Sequence, residues 1–105
     1  MSALTFGHDD DTLIIVDGQV LEVFQRRTEG SLRVPLAWLG VWLEADKPGR
    51  TRIVIGARTT PGGPVYSEQP QELYPFRRLP VSAEDVTRYR AFFVDVAALA
   101  GRPSA

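Results

Sequence analysis

At 105 residues, 44% hydrophobic and 24% charged, the chain has the length and composition of one globular domain and not of a disordered segment. It has no cysteine, which excludes disulfides and thiolate metal sites. Twelve basic and thirteen acidic residues leave a formal net charge of −1, with no basic field to hold a nucleic-acid backbone, so no nucleic-acid partner is expected.

Residues 1–11 contain the acidic run Asp9-Asp10-Asp11 and no signal-peptide pattern. They read as a loose N-terminus in which Leu4 and Phe6 can pair or pack at an edge. No apolar run approaches a bilayer span, so no transmembrane segment and a cytoplasmic location are expected. Thr12 to Val16 and Gln19 to Arg27 are β-type runs flanking Asp17-Gly18, a hairpin signal in which both turn positions would take φ > 0. After a turn at residues 28–30, Ser31 to Leu36 alternates, with Leu32, Val34 and Leu36 on one face.

Ala37 to Ala45 resumes as a strand, with Leu39, Val41 and Leu43 facing one way and Trp38, Gly40, Trp42 and Glu44 the other. A turn at residues 46–50 leads to the strand Thr51 to Arg58. Setting Leu43 opposite Ile53 puts Val41 on Ile55 and Leu39 on Ala57 on the buried face. The same register puts Glu44 on Arg52, Trp42 on Val54, Gly40 on Gly56 and Trp38 on Arg58, pairing opposite charges and laying a cation over an indole. A one-residue slip would turn one apolar set to solvent. Thr59 to Gly63 is then a loop, Pro64 to Ser67 a short strand, and Leu73 to Arg78 a last strand limited by Pro75.

From Ser82 the period becomes helical. Ser82 is placed to cap, with Glu84 and Asp85 in the first turn where the helix dipole favours anions. Val86, Tyr89, Phe93, Val96, Ala97 and Ala100 share a face, and Gly101 stops the helix. The predicted helix over 82–101 is integral to the core, and Phe92 and Leu99 lie at the margin of its stripe.

About seven short strands followed by one amphipathic helix make an order similar to the pleckstrin-homology-like (PH-like) superfold. That fold class is mainly β: a partly open antiparallel barrel capped by one C-terminal helix. The stretch Leu32-Arg33-Val34-Pro35-Leu36-Ala37-Trp38-Leu39-Gly40-Val41 also resembles a pattern of small bacterial domains of this type. The resemblance covers residues 12–101 of a single domain, 1–105. Its best-known members bind phosphoinositides through basic residues around the first hairpin loop. Here that loop is short and acidic, which argues against phosphoinositide binding. Other members bind peptides or proteins, and the fold alone does not choose.

Catalysis has little to draw on. The single histidine, His8, stands beside three aspartates, but consecutive residues cannot all converge on one cation. No serine has a base in view, and no spacing singles out a carboxylate pair. No cofactor is implied. Trp38, Trp42 and Val54, extended by Phe24, form the candidate partner-binding face, because tryptophan is enriched at interface hot spots. Two indoles four residues apart on a strand lie about 13 Å apart. The competing reading is that the helix, or Leu4 and Phe6, covers them. The expected function is a non-enzymatic interaction module whose partner is another protein or a second copy of the chain. The alternative is a small anionic ligand or lipid headgroup held by Lys47, Arg50 and Arg52.

Overall fold

Alternating burial along the strands sorts them into two sheets with an apolar interior between them. The computed structural model describes residues 4–27, 31–47, 50–60 and 62–103, for residues 46, 47 and 50 the backbone alone. The first sheet is an antiparallel meander, β1 (Leu4–Asp9), β2 (Thr12–Asp17), β3 (Val20–Gln25) and β4 (Ser31–Pro35). The second has the order β7-β5-β6-β8. It is built from β5 (Leu39–Lys47), β6 (Arg50–Arg58), the two-residue β7 (Tyr66–Ser67) and β8 (Leu73–Val81). A 3-10 turn, Ala83–Asp85, leads into α1 (Val86–Ala100). The architecture is mainly β with one C-terminal helix. Among the described residues no ladder joins the two sheets into a closed barrel.

The register expected for the central hairpin is present in full from Leu39↔Ala57 to Glu44↔Arg52. Leu39, Val41, Ile53 and Ile55 are fully buried, as that register requires. A polar residue slipped into any of those places would lose its water without gaining a partner. Val54 is also buried, at 2% exposure, although it faces away from the sandwich. It sits on the central strand between Trp42 and Arg78, whose long side chains can close over a small neighbour.

Several expectations are corrected. Leu4–Asp9 is not a loose terminus: it is β1, paired with β2 from Leu4↔Val16 to Asp9↔Thr12, with Phe6 in the core. Eight strands therefore replace seven. The first hairpin turns at Gly18-Gln19, one residue later than read, because Asp17 still pairs with Val20. Only Gly18 has positive φ there (62°), which suits a glycine-first two-residue turn. β8 runs through both Pro75 and Pro80 to Val81, which an edge strand allows because its outer N–H positions need no partner. Ser82 has the extended backbone of an N-cap but makes no capping side-chain hydrogen bond. The turn expected at residues 28–30 and the tip of the next hairpin, residues 48–49, lie outside the described residues.

Helix α1 closes the side of the molecule flanked by β1 and β7. Tyr89, Phe92, Phe93, Val96 and Ala97 are buried, and Gly101 ends the helix in the left-handed conformation (φ 65°) with its N–H on Ala97 and Ala98 carbonyls. Phe6 of β1 packs on Tyr89 and Phe92 at ring-centroid distances of 4.4 and 5.1 Å, and Tyr66 of β7 stacks on Phe93 at 5.8 Å. Burying the four large helix side chains contributes roughly 1.5–3 kcal/mol each before ordering costs. The helix is part of the core.

Candidate functional site

The site lies at the far edge of the second sheet from the helix, where β6 ends, β8 begins and the chain turns from β4 into β5. Leu36 to Trp38 form a turn and not the start of β5. Trp38 N–H donates to the Pro35 carbonyl at 3.0 Å, and Arg58 N–H donates to the Trp38 carbonyl at 2.8 Å. Trp38 therefore stands before the first ladder pair of β5, Leu39↔Ala57. Trp38 is 61% exposed.

Across from it, β8 is irregular. Ile55 pairs with Arg77 and Gly56 with Pro75, leaving Phe76 as an extra residue in a bulge. The bulge presses the start of β8 onto Gly56, where a Cβ would collide with the Tyr74 carbonyl. At Gly40 the space of a Cβ is taken by the Leu73 and Arg58 side chains. The Gly40–Gly56 cross-strand pair therefore exists because β8 leans over the sheet there.

The result is a groove of about 750 Å³ with Trp38, Tyr74 and Phe76 on its walls. Ala37, Ala57, Arg58, Thr59 and Thr60 complete the lining. Tyr74 is 61% and Phe76 44% exposed. The volume falls in the range usual for ligand sites, roughly 300–1,000 Å³. Among the described residues Arg58 is the one charged residue of the lining, and that guanidinium is tied back to Gln71 Oε1 and, at 3.5 Å, to the Pro64 carbonyl. Gly63 gives it room, since a Cβ there would press on the guanidinium. Thr59 Oγ1 lies 3.3 Å from the Glu72 carboxylate. The groove is apolar and aromatic, with hydroxyls at its rim and no free charge directed into it.

The four residues expected to form one tryptophan-bearing face are thus spread over different surfaces. Trp42 and Val54 are cross-strand partners as read, but Trp42 is half-buried and Val54 is covered. Trp38 belongs to the groove. Phe24 lies on the other sheet, opposite Leu13, and lines a smaller hollow of about 350 Å³ with Asp9 to Asp11 and Arg26. The cation expected over the Trp38 indole is engaged elsewhere, and a cation–π contact is formed instead by Arg88 over Phe6 at 4.7 Å. Of the candidate anion-binding residues, Arg52 is paired with Glu44 across the hairpin. The Lys47 and Arg50 side chains lie outside the described residues. His8 bonds Tyr89 through Nδ1 and keeps only Asp9 of the aspartate run near its other ring nitrogen, with Oδ2 3.7 Å from Nε2.

Tyr74 and Phe76 were not singled out from the sequence. The available signal was the run Tyr74-Pro75-Phe76: two aromatics flanking a proline in a strand that cannot be central. Comparisons with protein-family models, curated proteins and solved structures returned no match. No relative supplies a ligand.

Proposed function

We propose that the chain is a non-enzymatic, PH-like interaction module that takes an apolar segment of a protein partner into the Trp38–Tyr74–Phe76 groove. The observation that carries this reading is the exposure of three large aromatics around one concavity, in a chain whose other aromatic rings are mostly paired in the core. Each such ring brings 150–250 Å² of contact area at low conformational cost, and Trp and Tyr dominate interface hot spots. Leaving them in water gains nothing for folding. The PH-like part of the reading is supported by the order of elements, an antiparallel four-strand meander and then a second sheet closed by a C-terminal helix.

Recognition works through side chains and not by adding a fifth strand. β8 is the edge nearest the groove, and Pro75 and Pro80 remove two of the N–H groups that an added strand would use.

Selection of displayed peptides on the wild-type chain, followed by titration against Trp38→Ala/Tyr74→Ala, tests the proposal. The expected result is peptides that shift the indole emission of the wild type and lose at least tenfold in affinity on the double variant, whose melting temperature is unchanged. Sedimentation velocity over a concentration series covers the case in which the partner is a second copy, and association there should vanish in the same variant. Binding or self-association indifferent to both substitutions overturns the reading.

A further inference from the structure

The chain's only histidine is buried, although it sits within a run of polar residues. The β1–β2 ladder shifts register between Gly7 and Asp9, so His8 occupies the bulge and forms no ladder pair. Bulges redirect side chains. This one points the imidazole beneath helix α1, where its side chain is 5% exposed. There the Tyr89 hydroxyl bonds His8 Nδ1, joining residues 81 positions apart in the chain. Tyr89 is itself fully buried and packs on Phe6 and Phe93. The strand contributes a second tie, the Gly7 carbonyl, which accepts from Arg88 Nη2 at 3.1 Å. These two side-chain bonds hold the start of the helix to β1.

We propose that the His8–Tyr89 bond is an acid-sensitive latch, holding the first turns of α1 against β1 while the imidazole is neutral and releasing them when it is protonated. A neutral Nδ1 accepts the phenol proton, whereas a protonated imidazole can only donate to the hydroxyl oxygen, so the bond must reverse and the enclosed phenol proton loses its acceptor. The charge would also stand in a site built for a neutral ring. The charged groups facing it are Asp9 on its own strand, with Oδ2 3.7 Å from Nε2, and Asp85 and Arg88 from the helix start. The two acids favour the charged ring and Arg88 opposes it, while burial outweighs them and holds His8 below its ordinary value of 6.5. Tyr89 is pushed well above the usual phenol range by the same burial, so it keeps a proton to donate.

The sign follows. Because the folded state binds the proton less readily than the unfolded chain, the latch is intact above pH 6.5. It weakens as pH falls from there toward the folded-state value. This inference does not depend on the groove, whose lining includes none of His8, Arg88 and Tyr89.

The lone histidine makes the test direct. In the wild type, the imidazole Hε1 resonance should titrate with a midpoint below 6.5. Amide exchange at Val86 to Phe92, corrected for intrinsic rates, should lose protection relative to Ile53–Ile55 between pH 7 and pH 5. In His8→Gln, whose amide oxygen can still accept from Tyr89, that relative loss should disappear. Should His8→Gln fold poorly, Tyr89→Phe serves in its place, and the helix should then be equally protected at the two pH values relative to β6. A midpoint at or above 6.5, or a helix-specific loss that persists in the variant, overturns the proposal.

Discussion

The molecule has two aromatic regions of opposite character. Under helix α1, Phe6, Tyr66, Tyr89, Phe92 and Phe93 form a chain of tilted, stacked and edge-on rings that is almost completely enclosed. At the far edge of the second sheet, Trp38, Tyr74 and Phe76 stand in water around a groove. The residue types are alike and their environments are not. Where the rings meet one another they stabilise the fold. Where they meet solvent their contact area remains available to a partner. Burial, and not composition, separates a core from a site.

That contrast can be broken by substitution, beginning with the core. Phe93→Ala should cost about 3–5 kcal/mol, since it empties the centre of the enclosed cluster, and urea denaturation measures it. Gly56→Ala comes next at about 1–3 kcal/mol, because its Cβ would strike the Tyr74 backbone and push β8 off the sheet. The same change should also disturb groove binding, linking the bulge to the site. Trp38→Ala and Tyr74→Ala should each move stability by no more than about 0.5 kcal/mol. A melting temperature that falls as far for Trp38→Ala as for Phe93→Ala would erase the distinction between the two regions.

The smallest effects belong to the surface ions. The Arg88 and Arg90 guanidiniums hold the Asp85 and Glu68 carboxyls below their usual ranges, through hydrogen bonds first of all. Their support is therefore complete above about pH 4–5 and is lost as pH falls through the lowered values. The loss should be gradual in acid titration, reduced by salt, and located below the window in which His8 acts.

How much of this was legible in the chain depends on the range of the interaction. The β5–β6 hairpin was readable because each residue and its partner lie within one local turn, and charge, size and apolar parity agree on one register. The buried helix face was readable for the same reason, since its period lies in consecutive residues. Of β1 only the edge pairing or packing of Leu4 and Phe6 is legible, because His8 and the aspartates mask an alternation that a paired neighbour makes visible. Trp38 lies in a turn before β5 and not within the strand, and no residue between Pro35 and Leu39 announces that turn. The partner face drawn from Trp38, Trp42, Val54 and Phe24 holds for the Trp42–Val54 pair, whereas Phe24 lies on the other sheet.

Sequence alone determined which segments bury an apolar face, the pairing of neighbours, and the absence of thiol chemistry, because each follows from local pattern or composition. Tertiary structure decided where aromatics from distant segments meet. Trp38 comes to line one groove with Tyr74 and Phe76, and His8 reaches Tyr89, only after two sheets and a helix have packed. Contacts between residues so far apart depend on how whole elements lean, on a bulge at Phe76 and another at His8. No local pattern encodes an angle between elements.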